Sequence, residues 1–312
     1  MSDNWDETKF IDTFGNIKWE KNIDSRKSYM ANTELFFTYL EFCEGIPVLR
    51  FSCFDEQRDW MSMGFSTRLG GISQGYLSEL NLGWNRGDDE EIVRENYHLI
   101  CKALGVDEKR LVFSDQIHET NIVNATGEHA AGESLSKKLK GTDGLITKEE
   151  GLILATSYAD CVPLFFADPV HHVIASSHSG WRGTVGEIGR KTVEKMQECF
   201  GSRPEDLLCL IGPSICQDCY EVSEDVAEQF QKAYPAEQIS EILVPGAQEG
   251  KYQLDLWAAC YYTLQKAGVL STSIQVAKVC TCCHKDVLFS HRATSGKRGN
   301  LNGFIWKNVN NK

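Results

Sequence analysis

Apolar positions along the chain fall into short runs separated by polar and glycine-rich breaks. Residues 1–45 are rich in Asp, Asn, Lys and Ser and hold one apolar patch, Leu35–Phe42. They read as a variable segment with a small helix and strand. From Ile46 onward, strand-like and helix-like stretches succeed one another, and the length fits one large or two modest domains. Pro47–Phe54 and Met61–Ser66 read as strands that lead to a turn at Gly70 and Gly71. Asp88 or Asp89 caps a helix to Leu104: Ile92, Val93, Tyr97, Ile100, Cys101 and Leu104 recur at helical spacing, and Gly105 ends it.

Leu111–Ser114 and Asn121–Ala125 read as further strands, and Glu128–Gly141 as a polar loop. Gly144–Thr147, Leu152–Tyr158, Val162–Ala167 and His172–Ser177 are closely spaced apolar runs, which predict a central sheet of hairpins. Thr184–Cys199 has an amphipathic helical pattern, Leu207–Ile211 reads as a buried strand, and helices follow near Glu224–Ala233 and Leu254–Ala267. Strands cluster rather than alternate with helices. The expected class is therefore α+β, with a mixed, largely antiparallel sheet core flanked by helices.

Composition narrows the partners. Apolar residues make up 42% and charged residues 24%, as in an ordinary globular protein. The net charge of −12 argues against polyanionic partners, so neither nucleic acid nor a membrane surface is expected. A small anion in a local basic pocket remains compatible. Residues 1–30 contain no apolar signal region, and the apolar stretch Gly151–Ala167 is broken by Asp160 and Pro163. Twelve Cys without an export signal predict reduced thiols in the cytoplasm, available for metal binding or catalysis.

Three residues stand out. His118 follows a strand in Asp-Gln-Ile-His, Cys161 joins two apolar runs in Ala-Asp-Cys-Val-Pro, and His178 begins His-Ser-Gly-Trp-Arg-Gly. Strand ends are where loops gather functional groups on a rigid scaffold. Two imidazoles and a thiolate suit zinc and leave a fourth position open, as in catalytic sites. The same residues also read as a nucleophile and its base, Cys161 with His178, as in cysteine hydrolases.

The chain carries Phe-Ser-Thr-Arg-Leu-Gly-Gly (65–71), Asn-Leu-Gly-Trp-Asn-Arg-Gly-Asp-Asp (81–89), Asp-Gln-Ile-His (115–118) and Thr-Asp-Gly-Leu-Ile-Thr (142–147). Ala-Asp-Cys-Val-Pro (159–163), His-Ser-Gly-Trp-Arg-Gly-Thr (178–184), Ile-Gly-Pro-Ser-Ile (211–215) and Phe-Ser-His-Arg (289–292) follow in order. Together these motifs resemble the laccase-domain, YfiH-like family of purine nucleoside phosphorylases, also called polyphenol oxidases or peptidoglycan editing factors. The resemblance covers about residues 46–312. It implies a YfiH-like fold and a catalytic zinc on His118, Cys161 and His178. It also implies phosphorolysis of adenosine, inosine, guanosine and methylthioadenosine, with adenosine deamination beside it. Asn85 stands where many members have His, and Ala293 where many have a second Arg.

The residues discriminate among the family's labels. Four-copper oxidases need about ten His, mostly in His-x-His pairs; this chain has eight His and no such pair. Copper is expected only as an adventitious substitute. The His-x-Glu and Pro-Cys-x-x-Cys signature of cytidine-type deaminases is absent, as are Rossmann and Walker glycine loops. Arg68, Arg182 and Arg292 are candidate phosphate ligands, because a guanidinium fork grips oxyanions. Asn81, Gln116 and Asp160 are candidate ribose or base contacts, and Asp160 doubles as a partner orienting a ligating His. Cys216, Cys219, Cys280, Cys282 and Cys283, beside His284, form a second cluster. A Cys-x-x-Cys with a distant Cys-x-Cys is compatible with a structural zinc, but the Cys-x-Cys-Cys half departs from the usual metal spacing, so unligated thiols are the expectation there. A peptidoglycan-precursor amidase using Cys161 and a metal-bound, non-enzymatic accessory protein are the alternative functions. The expected assembly is a monomer or homodimer.

Overall fold

The computed structural model describes residues 38–135 and 138–309. In chain order the strands are β1 (Thr38–Cys43), β2 (Ile46–Phe51), β3 (Met61–Ser66), β4 (Leu111–Ser114), β5 (Ile122–Asn124), β6 (Lys138–Leu139), β7 (Gly144–Thr147) and β8 (Ile153–Tyr158). They continue with β9 (Val162–Asp168), β10 (Val173–Ser179), β11 (Leu208–Ile211), β12 (Glu221–Ser223), β13 (Leu243–Pro245), β14 (Lys251–Leu254), β15 (Ile274–Val276) and β16 (Leu301–Lys307). The helices are α1 (Glu90–Leu104), α2 (Trp181–Val185), α3 (Ile188–Phe200), α4 (Glu224–Ala233), α5 (Ala236–Ile242) and α6 (Leu256–Lys266).

A seven-stranded sheet runs β1-β2-β3-β16-β8-β4-β6, and a six-stranded sheet runs β15-β11-β9-β10-β7-β5. Most neighbours are antiparallel; β8-β4, β4-β6, β11-β15 and β5-β7 are parallel. The α+β class with a mixed, largely antiparallel core is therefore observed. The single central sheet of hairpins is not. β9 and β10 form a hairpin beside β7, but β8 lies in the other sheet, beside β16. Alternation of apolar residues marks a buried face without naming the sheet that covers it, so this split has no signature in the sequence.

The two sheets pack face to face. Leu154 and Tyr158 of β8, Phe165 and Ala167 of β9, and Phe65 and Ile305 share the cluster between them. The opposite faces carry helices. Val162, Leu164 and Phe166 pack with α3 and α6, while Ile153, Ala155 and Phe304 pack with α1. Covering both faces explains why β9 reads as an unbroken apolar run. The closest approach falls at Gly303 in β16, where a Cβ would lie 2.3 Å from the Phe165 ring.

α1 matches its sequence signals: the Asp89 side chain accepts from Glu91 N, and Gly105 closes the helix at φ 69°. The helix expected over Thr184–Cys199 is instead two, α2 and α3, broken at Gly186 and Glu187. Glu187 takes the left-handed φ of 61° and is held there by ion pairs to Arg190 and Lys266. The strand expected to reach Phe54 ends at Phe51, and a 3₁₀ turn, Ser52–Gln57, follows it. The polar loop after Glu128 contains a 3₁₀ turn and β6, whose two residues pair with β4. A three-stranded sheet, β12-β14-β13, is an addition to the expected elements. The small helix expected before residue 38 lies outside the described residues. β1 does belong to the seven-stranded sheet, as an edge strand antiparallel to β2. No helix among the described residues is long and apolar enough to cross a membrane.

Candidate metal centre

The chain passes from one sheet to the other through Ala159–Cys161, between β8 and β9, and this crossing carries the chemistry. Asp160 adopts the left-handed φ of 93° there, which presents Cys161 at the seam. His178 arrives from β10, directly paired with Pro163 of β9. His118 comes from the turn after β4, itself left-handed at φ 67°. One ligand atom from each of His118, Cys161 and His178 lies within 4.8 Å of the others. The two imidazole rings meet edge to face, with centroids 4.8 Å apart. Gly180 leaves room for them, since a Cβ there would lie 2.9 Å from the His118 ring and 3.3 Å from the Cys161 sulfur.

One buried carboxylate fixes both imidazoles. Asp143 Oδ1 lies 2.9 Å from His178 Nδ1, which turns Nε2 toward the cluster. The same carboxylate accepts from the main-chain N–H groups of Ile117, His118 and Glu119 at 3.0–3.1 Å. These successive donors make a nest for an anion, and the nest sets the His118 turn. Burial would raise the Asp143 pKa, but His178 and the main-chain donors overcome it and hold the carboxyl below its usual range.

The thiol and the imidazoles favour each other's charged forms. Burial raises the Cys161 pKa, yet the neighbouring imidazoles, His178 foremost, bring the thiol down to about 6. Burial lowers that of His178, but Cys161 and Asp143 push it up to about 9. A thiolate with two nitrogens facing it, oriented by a carboxylate from behind, fits a borderline divalent metal with an open position. Four of the other histidines have partners elsewhere. His98 meets Glu108, His129 meets Thr126, His171 meets Asp168, and His172 stacks on Trp60.

The other candidates fall into two groups. Asn81, Gln116, Arg68 and Asp160 hold loops. Asn81 is buried between Gly83, Asp88 and Asn300. The Gln116 amide pairs with both main-chain groups of Ser157. Arg68 donates to the carbonyls of Ser78 and Lys285 and lies over the Phe289 ring. Asp160 accepts from Thr281 Oγ1 and from Arg292 N, each at 2.6 Å, so the orientation of a ligating His falls to Asp143 instead. Arg182 and Arg292 lie over aromatic rings, and the Arg292 guanidinium also donates to the carbonyls of Cys219 and Glu221. Arg182 is exposed, its guanidinium over the Trp181 ring. Arg292 stacks over Tyr220, a phenol within electrostatic reach of Cys161, Arg292 and Arg182.

Sequence reasoning missed four further residues: Asp143, Arg298, Arg86 and His291. Asp143 was in view within Thr-Asp-Gly-Leu-Ile-Thr, but nothing in its spacing tells a nest-filling carboxylate from a turn residue. Arg298 is half-buried; its Nη1 donates to Gly299 O and Asn300 Oδ1, while its Nε has no hydrogen-bond partner among the described residues. Burial first, and Arg86 second, lower its pKa to about 10, while Asp160 and Cys161 act the other way. Arg86, Arg292 and Arg298 also surround His291, whose imidazole is held below its ordinary range by burial and then by Arg298. A separate cavity of about 170 Å³, lined by Arg50, Asp55 and Met63 among others, shares no residue with this cluster.

Comparison with known proteins adds names. The profile of the family described as "Multi-copper polyphenol oxidoreductase laccase" matches residues 62–308. The chain is 36% identical over 244 residues to the purine nucleoside phosphorylase YlmD of Bacillus subtilis, covering 78% of this chain and 87% of that protein. It is 35% identical over 231 residues to a protein named adenosine deaminase RL5 from an unknown prokaryotic organism, covering 73% and 87%. The crystal structure of the Bacillus licheniformis hypothetical protein YfiH superposes with a TM-score of 0.78 at 33% identity, covering 83% of this chain and 96% of that one.

Proposed function

Because the chain belongs to this laccase-like family, whose relatives include proteins named purine nucleoside phosphorylase and adenosine deaminase, we propose that it is a zinc-dependent purine nucleoside phosphorylase with adenosine deamination as a second reaction. Arg298 carries this reading. In a protein of net charge −12, a partly unsatisfied guanidinium crowded by Arg86 lies within electrostatic reach of Cys161. Like charges gathered against burial form a site awaiting an anion, and inorganic phosphate fits it.

In phosphorolysis a phosphate oxygen bonds to ribose C1′ as the bond to the purine breaks. The base leaves with the electron pair and takes up a proton, giving free base and ribose 1-phosphate. Arg298 and Arg86 hold the phosphate and place its charge beside the oxocarbenium-like transition state, while Arg292 anchors the Cys219–Glu221 turn through its carbonyls. Tyr220 and Trp181 offer ring faces to the nucleoside. His118, Cys161 and His178 would hold the zinc, which would supply Lewis acidity there. Asp143 keeps both imidazoles in their ligating orientation.

The decisive assay incubates adenosine with and without phosphate and identifies the products. Phosphate-dependent adenine and ribose 1-phosphate support phosphorolysis, and phosphate-independent inosine supports deamination. Neither product from zinc-loaded protein overturns the proposal. A second reading rests on the Cys161–His178–Asp143 line, which also matches a cysteine nucleophile, its base and an orienting acid. His118, the third member, has no part in that chemistry. Amide hydrolysis surviving complete chelation would favour the hydrolase.

A further inference from the structure

Four cysteines meet at a second place, apart from the cluster above. A 3₁₀ turn, Gln217–Cys219, joins Cys216 to Cys219 after β11, and the turn after β15 presents Cys280 and Cys283. Cys219 Sγ lies 3.5 Å from Cys283 Sγ, and Cys216 Sγ lies 3.9 Å from it. One sulfur from each of the four falls within 4.8 Å of the others. Four thiolates about 2.3 Å from a zinc ion stand roughly 3.8 Å apart at the corners of a tetrahedron. A disulfide needs about 2.05 Å, well inside either separation.

Two further observations favour thiolates here. The main-chain N–H groups of Cys216 and Cys283 both point at Cys280 Sγ, at 3.3 and 3.4 Å. Such donors stabilise negative charge on sulfur. The spacing is also regular once the structure selects its members. Cys280 and Cys283 bracket Thr281 and Cys282, repeating the Cys-x-x-Cys of 216 and 219. Cys282 turns away and packs against the apolar cluster of the six-stranded sheet. Cys282, lying between the two, gives the segment its Cys-x-Cys-Cys appearance in the sequence.

We propose that Cys216, Cys219, Cys280 and Cys283 bind a structural zinc ion with four thiolates. A full set of protein ligands leaves no open position, so the ion is a staple and not a catalyst. It clamps the turn after β11 to the turn after β15, and both reach the seam. Asp160, next to Cys161, accepts from Ile215 N and from Thr281 Oγ1. Tyr220 follows Cys219 directly, and Arg292 donates to the Cys219 carbonyl. The staple therefore fixes one wall of the candidate active site from outside it.

Metal content of the reduced full-length protein and of two double variants tests the assignment. Parent protein is expected to carry about two zinc ions per chain. His118→Ala/Cys161→Ser and Cys219→Ser/Cys283→Ser are each expected to retain one. Cobalt loaded into the first variant should show thiolate-to-metal charge transfer and the strong visible bands of a tetrahedral site. A metal-free first variant purified in the presence of zinc would overturn the proposal. So would a cobalt spectrum lacking thiolate charge transfer, or a disulfide among these cysteines in freshly reduced, zinc-supplied protein. If the second variant does not fold, the first decides alone. Loss of zinc from the His-Cys-His set would count against the proposed function and leave the staple untouched.

Discussion

Asp143 is the residue on which both imidazoles depend. Its carboxylate takes one imidazole N–H and three main-chain N–H groups, all four charge-assisted or held in a nest. Asp143→Asn keeps the size but turns one acceptor into a donor that faces other donors. Zinc affinity at the His-Cys-His site should fall by about 10- to 100-fold, measured by chelator competition on protein with the Cys219→Ser/Cys283→Ser background. Unchanged affinity would show that the nest does not orient the ligands. Arg298 makes a different prediction. Arg298→Gln should raise the phosphate KM roughly 10- to 100-fold, the equivalent of a charged hydrogen bond worth about 1.5–3 kcal/mol, while zinc content stays at the parent level. The three ligands were legible because each ends an apolar run within a motif. Asp143 and Arg298 were not, because their roles are set by donors and charges brought from distant segments.

At the level of elements, capping chemistry was readable and sheet membership was not. Asp89 and Gly105 mark the ends of α1 through local hydrogen bonds and backbone preference, so no other segment is needed to see them. The break between α2 and α3 leaves the apolar spacing intact and depends on Lys266, on another helix. Gly303 belongs to the same class of hidden features: its role appears only once β16 faces β9. Gly303→Ala would press a methyl group into the Phe165 ring between two sheets that are packed on both sides. Overpacking of this kind costs about 1–3 kcal/mol or more. Chemical denaturation should show that loss as a lower midpoint with an unchanged slope. A variant as stable as the parent would mean that the sheets can move apart at no cost.

For the molecule as a whole, the distribution of histidine bears on its family's two kinds of name. A trinuclear copper cluster requires many imidazoles at one place. The described structure commits His98, His129, His171 and His172 to separate surface or loop partners. Zinc has no accessible redox couple, whereas copper outranks it in intrinsic affinity and can replace it. Zinc-loaded, copper-free protein should therefore consume no oxygen with a phenol, and copper loading should bring only slow oxidation. Rapid oxygen uptake by the zinc form, followed with an oxygen electrode, would contradict this.

The position of β16 has a consequence for biosynthesis. It sits at the middle of the seven-stranded sheet, between β3 and β8, and the pairing of Asn302 with Ser66 joins positions 236 apart. On the ribosome, β3 must wait for its neighbour through all that intervening synthesis. At about 5–20 residues per second, the delay is roughly 10 to 50 seconds. During that interval β3 and β8 each show an unpaired edge on an apolar strand, the kind of surface that recruits chaperones or other nascent chains. The yield of this protein in a cell thus depends on how those two edges are sheltered before the strand that separates them arrives.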